Sequence, residues 1–130
     1  IKINNFLSEI KNEYKLKNSD ICLSGFSQGC MMAINVALTT QIPFNCLVGF
    51  SGKIINKKNL SERISSKPKI LLIHGNLDSV VTPDNLLDAK DFFIRNKINC
   101  DTKMIDNCDH NIPLEASSMA INFIKENLNN

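Results

Sequence analysis

Gly25-Phe26-Ser27-Gln28-Gly29 is the stretch that most narrows what this chain can become. A β-compatible apolar run, Ile21 to Leu23, leads into it, and a helix-forming apolar run, Cys30 to Leu38, leads out. The pattern predicts strand, sharp turn and helix, with Ser27 at the apex. Such a turn holds its serine in a strained backbone geometry, and side chains two positions to either side would crowd the bend. Glycine is therefore expected to be required at both 25 and 29. The helix beginning at Gln28 aims its free N–H groups back at the serine, which suits an oxyanion formed there, and the Gln28 N–H is the candidate donor. Three such fixed positions recur by accident in about 4% of chains of this length, and the strand-helix context lowers that several-fold. The plain alternative is a glycine-bounded turn that happens to carry a serine.

The remaining composition excludes more than it suggests. With 130 residues, 43% of them hydrophobic, the chain can build one domain with a real core. Fifteen basic against 13 acidic residues leave a formal charge of +2, which is no electrostatic footprint for nucleic acid. Lys57-Lys58, the densest basic cluster, reads as a solvated loop. No apolar run reaches the roughly 18 residues of a membrane span, and no leader pattern follows Ile1. Five cysteines (Cys22, Cys30, Cys46, Cys100, Cys108) without a C-x-x-C pair fit reduced thiols in a cytoplasm, most of them acting as small buried hydrophobes. His74 and His110 are too few and too far apart for a metal site.

Taken in order, Ile3, Phe6, Leu7, Ile10 and Tyr14 predict an amphipathic helix from about Ile3 to Leu16. The helix after Ser27 is apolar nearly all round and is expected to be buried centrally on a sheet. Further strands are predicted at Asn45–Phe50, Lys69–Ile73 and Asp101–Ile105, the last more polar and so placed near an edge. Residues 54–66 carry no clear period. Thr82 is read as the cap of a helix with Pro83 in its first position and Leu86, Ala89, Phe93 and Ile94 on one apolar face. Pro113 to Leu128 is the last helix, with Ala116, Met119, Ala120, Phe123, Ile124 and Leu128 inward. Continuous apolar strands alternating with helices predict an α/β fold: a parallel sheet of about four strands with helices on both faces.

Ser27, Asp78 and His110 each fall in a loop after a predicted strand, and such loops gather on one edge of an open parallel sheet. A serine hydroxyl needs a base, an imidazole can be that base, and a carboxylate can fix the imidazole's tautomer and offset its charge. Each has a rival. His74 sits at a strand end, where a loop-fixing hydrogen bond is the better reading. Asp106 and Asp109 compete with Asp78, which on the plain reading is only a turn residue. Met31 and Met32 are core filler or the lining of an acyl pocket. Ser51-Gly52 borders the same cleft or makes a tight turn.

Gly25-Phe26-Ser27-Gln28-Gly29-Cys30-Met31-Met32-Ala33, then Phe50-Ser51-Gly52, then Ile73-His74-Gly75 with Asp78 and Val80-Val81, then His110 before a terminal helix, together resemble the phospholipase/carboxylesterase family. That family includes the acyl-protein thioesterases and small bacterial carboxylesterases. The likeness spans essentially the whole chain. It implies an α/β-hydrolase fold, hydrolysis of small acyl esters or thioesters, no cofactor, and a triad at the positions of Ser27, Asp78 and His110. Two features depart from the pattern. Cys108-Asp109 stands where many members have a glycine-containing loop. No counterpart is found of the H-G-x-G type loop that supplies the family's second oxyanion donor. Residues 1–130 are therefore expected to be a single domain equivalent to the carboxyl-terminal part of such an enzyme, with its elbow strand left at a sheet edge open to oligomerisation or pairing. Losing one oxyanion donor costs about 2.7–4 kcal/mol, so an inactive remnant or binding module of the same fold is the competing expectation. An unrelated flavodoxin-like domain is a third, but the glycine-rich phosphate fingerprint it needs is missing.

Overall fold

β1 (Cys22–Phe26), β2 (Cys46–Phe50), β3 (Lys69–Gly75) and β4 (Cys100–Ile105) form one sheet in the order β1-β2-β3-β4, every neighbouring pair parallel. The computed structural model describes residues 2–129. Helices α2 (Gln28–Thr39), α3 (Lys57–Glu62) and α4 (Asp84–Arg95) fill the connections, α1 (Lys2–Tyr14) precedes β1 and α5 (Leu114–Leu128) follows β4. The predicted parallel α/β arrangement is the one observed.

Side-chain alternation along the strands divides the core in two. Leu47, Ile70 and Leu72 point to one face, where they meet Cys30, Ile34 and Leu38 of α2, Leu60 of α3, and Leu86, Ala89 and Phe93 of α4. Val48, Phe50, Leu71 and Ile73 point to the other and meet Ala116 and Ala120 of α5. β2 and β3 are covered on both faces, which is why their sequences are apolar without alternation. β4 alternates half-buried and exposed positions, as an edge strand should.

Several local expectations are corrected. α2 is not buried all round: Cys30, Ile34, Ala37 and Leu38 form its inner face, while Met32 is 48% exposed. α1 contributes no buried residue, and Phe6 (56%) and Tyr14 (66%) are exposed. Its apolar stripe is real but only partly covered: Ile3, Leu7 and Ile10 are half-buried. α4 begins one residue later than predicted: Pro83 takes the cap position, and Thr82 offers its carbonyl to Asn85 N at 3.0 Å. On α4 Ile94 is exposed, against the expectation that placed it on the apolar face, and Phe92 is buried beside Phe93. Leu128 on α5 is also exposed.

Candidate active site

The carboxyl ends of all four strands converge on one rim. The ladder runs on into the loops there: Ser27 N donates to Phe50 O at 2.8 Å, Ser51 N to Ile73 O at 2.9 Å, and Asn76 N to Ile105 O at 2.9 Å. Each loop is thereby registered to the strand beside it, and its side chains inherit the rigidity of the sheet.

Ser27 sits between β1 and α2 with φ 54° and ψ −118°. This is a strained conformation for a residue with a Cβ. Gly25 is what permits it. A Cβ at that position would meet the backbone of Gly29 and come within 2.6 Å of Cys30 N. The parallel expectation for Gly29 fails, because a Cβ there meets nothing within 4 Å. The crowding at the bend is one-sided: the strand must pass close under the first helical turn, but the helix faces open space. Ser51, buried at the end of β2, also has positive φ (54°), and neighbouring Gly52 packs against Cys30 and Ser27 O. Ser51-Gly52 is therefore a tight turn supporting the elbow, a role its sequence left open.

After β3, Asp78 folds back on its own loop. Its Oδ1 accepts from Val80 N and Val81 N, both at 2.9 Å. Its Oδ2 accepts from His110 Nδ1 at 2.8 Å. The carboxylate is fully buried, and the imidazole is partly buried with 16% of its side chain exposed. Burial pushes the Asp78 carboxyl up, but the bonds from His110, Val81 and Val80 outweigh that and hold it below its ordinary 3.8. Asp78 is therefore an anion at neutral pH.

His110 arrives on the loop after β4. With Nδ1–H donated to Asp78, its Nε2 is the acceptor form, and it lies 3.0 Å from Ser27 Oγ. The Phe26 ring packs against the imidazole at a centroid distance of 4.8 Å. Loop-to-loop bonds fix this arrival. Leu77 N donates to Cys108 O at 2.9 Å, and Asp109 Oδ1 accepts from Ser79 N (3.3 Å), Ser79 Oγ (3.4 Å) and His110 N (2.8 Å). Gly75 allows the close approach, since a Cβ there would come within 2.6 Å of Asp109 O.

The rivals are placed elsewhere. His74 is 2% exposed, and its Nε2 donates to Val81 O at 2.8 Å, the loop-fixing bond expected of it, 3.4 Å from Asp78 Oδ2. Asp106 accepts from Asn76 Nδ2 at 3.3 Å. Asp109 faces Ser79 and its own neighbour's backbone; its part in holding the His110 loop was not read from sequence, and only its adjacency to His110 hinted at it. Gln28 opens α2, so its N–H has no acceptor within the helix. Met31 and Met32 line an open groove of about 590 Å³ with Ile3, Gln28, Val36 and Ile55. Among the described residues no three His, Cys, Asp or Glu side chains gather as a metal site would. No helix among them is long and apolar enough to cross a membrane.

Comparison with known proteins identifies the family and the fold. The family model described as Phospholipase/Carboxylesterase matches residues 2–128. Acyl-protein thioesterase 1 of Yarrowia lipolytica is 30% identical over an alignment of 114 positions that covers 83% of this chain and 50% of that protein. The crystal structure of esterase PE8 superposes with a TM-score of 0.93 at 33% identity, covering 96% of this chain and 58% of PE8. At 14% identity, which speaks to fold alone, an alpha/beta hydrolase from a Medee basin deep-sea metagenome library, MGS-M1, superposes with a TM-score of 0.72 over 97% of this chain and 62% of its own. The fold is the α/β-hydrolase fold, and the chain spans about half the length of the curated relative it matches.

Proposed function

The chain belongs to the phospholipase/carboxylesterase family, and from that premise we propose that it serves hydrolysis of carboxylic esters or thioesters through an acyl-enzyme on Ser27. The observation that carries the reading is the unbroken line Asp78 Oδ2, His110 Nδ1, His110 Nε2, Ser27 Oγ, joined at 2.8 and 3.0 Å. His110 Nε2 takes the Ser27 proton as Oγ attacks the acyl carbonyl, and returns it to the leaving alcohol or thiol. Asp78 holds the Nδ1–H tautomer and offsets the charge of the transient imidazolium. The N–H of Gln28, at the positive end of α2, is the oxyanion donor this chain provides. Water then enters the leaving group's place and is activated by the same imidazole.

The names of esterase PE8 and the Yarrowia acyl-protein thioesterase support an acyl ester or thioester as substrate. We place the protein in the cytoplasm, where unpaired thiols persist. The test is release of p-nitrophenolate from p-nitrophenyl acyl esters of graded chain length. Turnover that disappears in Ser27→Ala supports the reading. A folded chain with no turnover favours the competing one, a binding module of this fold, for which the single identified oxyanion donor is the motive.

A further inference from the structure

Cys22 and Cys46 are direct partners in the parallel register of β1 and β2. Their sulfurs lie 2.7 Å apart, and both are free thiols. Residues paired in register project to the same side of a sheet. Adjacent strands run about 4.8 Å apart, inside the Cα separation a disulfide tolerates, so the pair is within bridging reach. None of the other three cysteines has this arrangement: Cys30 is packed against Gly49 and Gly52, Cys108 bonds within its own loop, and Cys100 lies on the far edge strand.

We propose that Cys22 and Cys46 form an oxidation-sensitive dithiol site that takes a peroxide and closes to an intrachain disulfide across β1 and β2. Cys22 is half-buried and is the entry point, whereas Cys46 is fully buried. Burial and the neighbouring Cys22 push the Cys46 thiol well above the ordinary thiol range, so Cys46 follows rather than leads. In the first step the Cys22 thiolate attacks a peroxide oxygen. A sulfur–oxygen bond forms, the oxygen–oxygen bond breaks, and the departing hydroxide leaves as water, giving a sulfenic acid. In the second step Cys46 sulfur attacks Cys22 sulfur. The sulfur–sulfur bond forms, the sulfur–oxygen bond breaks, and hydroxide leaves with the Cys46 proton as a second water. The two thiols supply the two electrons that the peroxide accepts. The bridge ties β1 to β2 at the amino end of the strand, five positions and roughly 16 Å along the chain from Ser27.

The experiment uses the full chain, treated with hydrogen peroxide, alkylated after denaturation and mapped without reduction. Chymotrypsin suits the map because Phe26 separates Cys22 from Cys30 and Phe44 separates Cys30 from Cys46. The expected result is loss of the thiols at 22 and 46 together. A linked peptide pair that a thiol reductant separates should account for them, with 30, 100 and 108 still alkylated. In Cys46→Ser the sulfenic acid at Cys22 has no partner, so dimedone labelling at Cys22 should rise over the wild-type chain. The proposal is overturned by Cys22 oxidised to sulfinic acid beside a free Cys46, by a bridge to any other cysteine, by no reaction at either residue in the folded chain, or by equal dimedone labelling of wild type and variant.

Discussion

His110 Nε2 stands 3.0 Å from Ser27 Oγ although 83 positions separate the two residues. The sheet brings this about. One loop follows β1 and the other follows β4, the two edges of the same four-stranded layer. Asp78, on the loop between them in the strand order, reaches His110 from the other side. If these groups act as a unit, their deletions should not add. Ser27→Ala and His110→Ala should each lower ester turnover by about 10⁴-fold or more, and the double variant should be no worse than either. Asp78→Asn should cost about 10⁴-fold while the fold persists. Initial rates with one p-nitrophenyl ester, alongside circular dichroism of each variant, check all three.

Ser27 pays in backbone strain for its position at the apex. With φ 54° and ψ −118° it occupies a region that costs a side-chain-bearing residue about 1–3 kcal/mol. Ser27→Gly should therefore raise stability by about 1 kcal/mol while removing the nucleophile. Urea unfolding midpoints measure it, and a destabilised Ser27→Gly chain would contradict the strain.

The two glycines of the elbow should behave oppositely. Gly25→Ala drives a methyl into the backbone of Gly29 and Cys30, and should cost about 1–3 kcal/mol, with distortion of the serine turn. Gly29→Ala meets open space in the first turn of α2, and should be neutral or stabilising by up to about 1 kcal/mol. The same unfolding titration distinguishes them.

Asp78 gives the fold a defined acid sensitivity. Its folded pKa lies below the ordinary 3.8, so its stabilising contribution is complete above that value and is lost as pH falls through the folded one. The stability gap between the wild-type chain and Asp78→Asn should be constant above about pH 5 and should shrink as pH drops below 3.8. A gap that stays flat through the acid range would mean that the carboxylate is not held by its neighbours as described.

Much of this was legible in the residues, for reasons that differ by element. β2 and β3 were readable because a strand buried on both faces must be apolar throughout. The serine turn was readable because few sequences can make so sharp a bend. Ser27, Asp78 and His110 could be nominated from loop position and chemistry, but which carboxylate meets His110 depends on where Asp78, Asp106 and Asp109 point, and spacing does not encode that. The misses share a cause. The full burial expected of α2, the inward face given to Ile94, and the supposed need for Gly29 all depend on what an element packs against. α1 shows the same limit: Phe6 and Tyr14 lie on a proper amphipathic stripe, yet are exposed, because periodicity tells which face is apolar and not whether a neighbour covers it. Asp109 was missed as a loop anchor because its bonds run to Ser79, thirty positions away.

The most direct measurement is covalent capture of the serine itself. A fluorophosphonate probe reacts with a serine only when a base has activated it. Incubation with the folded chain should place one phosphonyl group on Ser27, located by peptide mass mapping, and the label should vanish in Ser27→Ala and fall sharply in His110→Ala. A folded chain that takes no label, or one whose label survives replacement of Ser27, would contradict the account at its centre.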